Sequence, residues 1–124
     1  MHARYLVVAF LVGMSAPAAG QAPMNGQKAA AVFERIRTTP AELKMYCEQL
    51  KLRQDSARAF RNGDNATVSK FAQRIAEIQT SLPGYRDAVS FVSSKSNQPV
   101  YFKTKEGQAL GAAQKQLEGA CPAG

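Results

Sequence analysis

Between Pro40 and Leu82 the chain reads as two amphipathic helices joined by a connection so short that the second must run back along the first. The first begins at Thr39-Pro40-Ala41-Glu42, which has the form of a capping box with proline at the first helical position, and extends to about Asn62. Its apolar residues Leu43, Tyr46, Cys47, Leu50, Ala57 and Phe60 fall on one arc and are expected to face a core. The second helix, expected over Ala66–Leu82, repeats Val68, Phe71, Ala72, Ile75, Ile78 and Leu82 at helical spacing, with Lys70, Gln73, Arg74 and Glu77 opposite. Between them, Asn62-Gly63-Asp64-Asn65 supplies a glycine to close one helix in the left-handed region and an aspartate to cap the next. A turn of this length dictates an antiparallel hairpin.

Shorter helices flank the hairpin. Asn25 is placed to cap a helix over Gly26–Arg37, with Ala29, Val32, Phe33 and Ile36 inward and an end at Thr38-Thr39-Pro40. Pro83-Gly84 stops the second long helix, and Tyr85–Ser94 reads as a further short one burying Val89, Phe91 and Val92. After a polar loop, Val100-Tyr101-Phe102 is β-prone but too isolated to make a sheet; it is expected to plug the hairpin. Exposed instead, its rings beside Lys103 and Lys105 would suit an acidic or apolar ligand. A last helix over Lys105–Glu118 carries Leu110, Ala113 and Leu117 on one side. The fold class is therefore all-α, a small helical bundle built on an antiparallel hairpin.

The first twenty residues have the order of a secretory signal. A short charged start (His2, Arg4) precedes the apolar run Tyr5–Met14, then a small-residue tail from Ser15 to Ala22. The run is too short to cross a bilayer, for which roughly twenty residues are needed, so cleavage rather than anchoring is expected. Cleavage fits after Ala18, Gly20 or Ala22, with Gly20 favoured, which makes 1–20 a signal peptide and 21–124 a single small domain. No cysteine follows the apolar run directly, so a lipoprotein signal is unsupported. The expected destination is the periplasm or the exterior; in a eukaryotic host Asn65-Ala66-Thr67 would be a glycosylation acceptor.

Export gives the two cysteines, Cys47 and Cys121, an oxidising compartment, where a lone pair in a small domain is usually a disulfide. Each lies on the inward arc of its helix. Bridged within one chain they close a loop of about 75 residues, worth up to ~4.5 kcal/mol in the chain-entropy model. Pairing between chains stays open on sequence grounds. Redox catalysis lacks a C-x-x-C, and Met45-x-Cys47 makes a poor copper site because positions two apart on a helix point to different faces.

Chemistry is narrowed by what the mature chain lacks. The only histidine, His2, leaves with the signal, and with it histidine-dependent triads, histidine zinc sites and axial-histidine haem. The carboxylates Glu42, Glu48, Asp55, Asp64, Glu77 and Asp87 each have a helix-surface or capping role, and none is paired for general acid–base work. No catalytic residue, cofactor or metal ligand is expected, and the protein reads as no enzyme. Loss of Arg4 leaves fifteen Lys and Arg against nine Asp and Glu. That balance suits acidic partners: an acidic protein or an anionic envelope component such as lipopolysaccharide, anionic lipid or cell-wall polymer, with nucleic acid excluded by export. The spread of these residues along the chain equally fits a role in solubility alone. The stripe Lys44, Glu48, Lys51, Asp55, Arg58 alternates in sign and reads as a solvated face. Met45, Leu52 and Ala59, seven apart, form a second apolar line, taken up either by neighbouring helices or as a partner seam.

Lys44-Met45-Tyr46-Cys47 in the first long helix, the turn Asn62–Asp64, Leu82-Pro83-Gly84-Tyr85 and the terminal Cys121 together give a resemblance covering about Pro40–Cys121. On these residues the chain resembles a loose group of small exported alphaproteobacterial proteins of unknown function. The resemblance implies a helical hairpin with a structural disulfide and implies no activity. The chain departs from that pattern in the basic second half of its first long helix, at Arg53, Arg58 and Arg61. The function expected is a non-enzymatic periplasmic or secreted binding or structural module. The alternative is a periplasmic stress chaperone that exposes Phe71, Ile75 and Ile78 under acid or heat.

Overall fold

The computed structural model describes residues 23–122, so the expected signal peptide and its cleavage sites lie outside the described residues. Five helices follow one another: α1 (Gly26–Thr38), α2 (Pro40–Arg61), α3 (Asn65–Ser81), α4 (Tyr85–Lys95) and α5 (Lys105–Gly119), with a 3-10 turn at Pro99–Lys103. Among the described residues there is no strand, and no helix is long and apolar enough to cross a membrane.

α1 is the axle of the fold. The Asn25 side chain accepts the Lys28 backbone N–H at 2.8 Å and so starts the helix. Ala29, Phe33 and Ile36 then recur at steps of three and four, all essentially inaccessible to solvent. α1 packs most extensively on α5, which offers Leu110, Ala113 and Leu117, then on α4, and less on α2. Tyr46, Ile78, Leu82, Tyr85 and Ala88 complete one core. Its rings meet edge to face, Tyr85 with Phe33 at 6.5 Å and with Tyr46 at 6.0 Å.

The capping box does not form. Pro40 does occupy the first turn of α2, but the Thr39 side chain makes no capping bond. Glu42 instead accepts from Arg35 Nε at 3.0 Å, while Arg35 Nη2 donates to the Pro83 carbonyl oxygen at 2.7 Å. A charge-assisted bond to guanidinium outcompetes one to a backbone amide. The single arginine thereby ties α1 to the starts of both α2 and α4.

Val100-Tyr101-Phe102 also differs from expectation. Pro99 opens a 3-10 turn there, not a β segment, and the turn packs on α5 rather than plugging the hairpin. Tyr101 and Phe102 lie against the core, whereas Val100 stays 72% exposed. The Tyr101 hydroxyl donates to Glu106 Oε2 at 2.7 Å, and the same oxygen accepts the Gly26 N–H at 3.3 Å, joining the starts of α1 and α5. Lys95 Nζ sits over Phe91 and Tyr101, at 5.4 and 5.2 Å from the ring centres.

The disulfide is intramolecular: Cys47 and Cys121 are bridged with their Cα atoms 5.4 Å apart. It fastens the first half of α2 to Cys121, two residues past the end of α5.

Candidate interaction surface

α2 and α3 form the antiparallel hairpin. Gly63 takes φ +73° in the turn, and Asp64 caps α3 by accepting from Thr67 N at 3.2 Å and Thr67 Oγ1 at 2.6 Å. Those two bonds hold the Asp64 carboxyl below its ordinary range. Two polar pairs mark the edges of the helix–helix seam. On one edge Gln79 Nε2 donates to Gln49 Oε1 at 2.8 Å, and the fully buried Gln49 donates onward to the Tyr85 hydroxyl at 3.1 Å. On the other, Arg74 grips both carboxylate oxygens of Glu48, at 2.7 and 2.9 Å. That grip lowers the Glu48 pKa.

The line Met45, Leu52, Ala59 is taken up inside the molecule. Ala59 is buried, and Met45 and Leu52 are half-buried against the core, so the line is not an open partner seam. It shares the face of α2 that carries Gln49 to Gln79, which is the face packed on α3. The other expected arc behaves differently along its length. Tyr46 is buried and Leu43, Cys47 and Leu50 pack against the core, but Ala57 is exposed and Phe60 is 69% exposed. On α3 only Ile78 is buried; Val68, Phe71 and Ile75 are half-buried and Ala72 is exposed. The reason is length. α2 has 22 residues, about 33 Å of helix, and the body formed by α1, α4 and α5 covers only its first half. Beyond that point two helices have only each other to pack on, and a two-helix ribbon leaves its flanks in water.

From the Gln49–Gln79 edge, steps of three and four toward the turn reach Arg53, Ala57 and Phe60 on α2 and Ala76, Ala72 and Ser69 on α3. This distal face continues the one that the body covers lower down. Apart from Arg53 it consists of small residues, with Phe60 as its one large exposed apolar side chain. Its charges are positive. Residues 51–74 hold six Lys and Arg against two Asp, two-thirds of the net charge of residues 21–124. Asp55 is engaged by Lys51 and Arg58, and Asp64 by its cap, whereas Arg53, Arg61 and Lys70 make no ion pair among the described residues. A groove of about 540 Å³ beside the disulfide is a poorer discriminator, with Lys44 and Lys51 facing Glu48 and Glu118. Among the described residues no three His, Cys, Asp or Glu are grouped to hold a metal ion.

No known protein family, curated protein or solved structure matches the chain. Periodicity placed Ala57 and Phe60 on a buried arc because it reports which side of a helix is apolar, not how far along the helix a neighbour extends. The clustering of Arg53, Arg58 and Arg61 around them was the available signal that this end meets something other than the core.

Two tyrosines make the body alkali-sensitive. Burial, then Tyr85 and Glu118, push the Tyr46 hydroxyl well above its ordinary value, with Arg53 opposing. Burial and the bond to Glu106 push Tyr101 up to about 12. Each group stays protonated in the fold over a pH range where the unfolded chain, titrating near 10, has lost its proton. Their contribution is thus complete below about pH 10 and is lost as pH rises toward the folded values. Stability measured by denaturant titration should fall from about pH 10 upward, and Tyr46→Phe should flatten that limb. An unchanged slope in Tyr46→Phe would show that the buried hydroxyl is not its source.

Proposed function

We propose that the protein is a non-enzymatic exported module, acting in the periplasm or outside the cell, that binds an acidic protein or anionic envelope component through the far end of its helical hairpin. One observation carries the reading: the apolar arc of α2 outruns the body that covers it and ends at an exposed Phe60 between Arg53 and Arg61, neither held in an ion pair among the described residues. Unpaired guanidinium groups beside apolar surface favour a carboxylate or phosphate partner with some apolar contact. The signal-like Met1–Ala22 and the Cys47–Cys121 bridge fit an oxidising compartment.

The test has two arms. Export with cleavage should give a mature protein beginning just after Ala18, Gly20 or Ala22, read by N-terminal sequencing of the extracytoplasmic fraction. The purified mature chain should bind polyglutamate, with affinity falling steeply between low and physiological salt. Arg53→Glu with Arg61→Glu should cost at least tenfold in affinity, while Lys103→Glu with Lys105→Glu should change it little. Equal binding at all salt concentrations, or equal losses in both double variants, would sink the assignment to the hairpin.

A further inference from the structure

The distal face is an uncovered edge between two packed helices. Lower on the hairpin, α4 starts beside α2: Tyr85, its first residue, rests on Tyr46 and accepts from Gln49. A shallow cleft of about 250 Å³, lined by Gln79, Tyr85, Arg86, Val89 and Ser90, lies where α3 and α4 diverge. Past it the same edge runs on toward the turn with nothing among the described residues over Ala57, Phe60 and Ala72. We infer that this trough, between Arg53-Ala57-Phe60 of α2 and Ser69-Ala72-Ala76 of α3, docks an acidic amphipathic helix of a partner protein as a third helix on the ribbon. The inference rests on the proposed anionic partner and specifies its form.

Three observations select this occupant. Ser69, Ala72 and Ala76 are small, so a helix can approach α3 closely while Phe60 supplies the one large anchor. Arg53 and Arg61 are the cations along the α2 side, eight residues or about 12 Å apart, which matches carboxylates two turns apart on a helix lying alongside. Asp55 is turned to the opposite side and bound to Lys51 and Arg58, so the trough itself offers no carboxylate. A second copy of this chain would bring like charge against like charge. An anionic membrane would find a single bulky apolar side chain to insert, where interfacial helices present several.

The experiment uses the mature chain and two synthetic peptides of about three helical turns. Each has a leucine face, flanked in one by glutamates two turns apart and in the other by lysines at the same positions. Fluorescence anisotropy should detect the glutamate peptide, at least tenfold tighter than the lysine peptide, with affinity weakening as salt rises. Ala72→Arg, exposed and so tolerated by the fold, should block the trough and cost at least tenfold. Arg53→Glu with Arg61→Glu should reverse the preference toward the lysine peptide, a rescue that misfolding cannot produce. If Ala72→Arg leaves peptide affinity unchanged while polyglutamate still requires Arg53 and Arg61, the helix seat is wrong and the anionic-partner reading stands. If charge reversal affects neither probe, both fall. Competition by phosphatidylglycerol vesicles that Ala72→Arg does not relieve, or a dimer in sedimentation that Ala72→Arg abolishes, would replace the acidic helix with a membrane or a second copy.

Discussion

Cys121→Ser should lower the unfolding free energy by about 2–5 kcal/mol, equivalent to a fall in Tm of roughly 10–30 °C for a domain of this size. Two effects act together. Removing the bridge restores the conformational freedom of a 74-residue separation in the unfolded chain. It also takes away one of few attachments between hairpin and body. α2 meets the rest of the molecule through α3, a modest contact with α1, the Tyr46–Tyr85–Gln49 cluster, the Arg35–Glu42 pair and the disulfide. The loss should therefore be uneven. Hydrogen exchange in the variant should show amides of α2 and α3 opening before those of α1 and α5. Thermal melts with and without reductant supply the magnitude. A melting point within a few degrees of the parent, or uniform loss of protection across all five helices, would count against the bridge as the fastener of the hairpin.

Gly107→Ala and Gly111→Ala should have opposite signs, though both replace glycine by the best helix former in the same helix. A Cβ on Gly111 meets nothing within 4 Å, so the helical preference of alanine should stabilise by up to about 1 kcal/mol. A Cβ on Gly107 would run into the Tyr101 carbonyl and come within 2.7 Å of Phe102 Cα. These are backbone atoms of the 3-10 turn and cannot swing aside as a side-chain end would. Overpacking of this kind costs about 1–3 kcal/mol. The displaced turn should also weaken the Tyr101–Glu106–Gly26 clasp, so the loss should appear as early opening at the start of α1. Denaturant midpoints of the two variants decide the matter, and stabilisation by both would show that the turn yields.

Most of the fold was legible because its determinants are local. Asn25, the Gly63-Asp64 pair and Pro83-Gly84 fixed where helices start and stop to within a residue or so, since caps and turns depend on a few neighbouring atoms. The two cysteines paired as their inward positions suggested. What escaped was decided by partners on other elements of the fold, whether near in sequence or far. Glu42 left its capping role because Arg35 lies nearby in space. Val100-Tyr101-Phe102 became a 3-10 turn because Glu106 and the Gly107 backbone hold it. Gln49 belongs to no apolar arc of the sequence, yet it is fully buried, because Gln79 and Tyr85 satisfy it from other helices. The candidate surface was half legible. Its arginines stood out in the sequence, but the exposure of Ala57 and Phe60 follows from where α1, α4 and α5 stop, which no local pattern records.

The position of Cys47 gives the hairpin a mechanical character. Phe60 lies thirteen residues further along α2, an arm of about 20 Å. A pull at Phe60 turns that arm about its base, where non-covalent packing alone would yield gradually. The sulfur bridge and the Gln49–Tyr85 contact stand together at this fulcrum, so torque divides between a covalent link to the end of α5 and a packed contact that leads to Phe33. Reduction of that one bond would leave only packed contacts at the base and convert a stiff lever into a hinge.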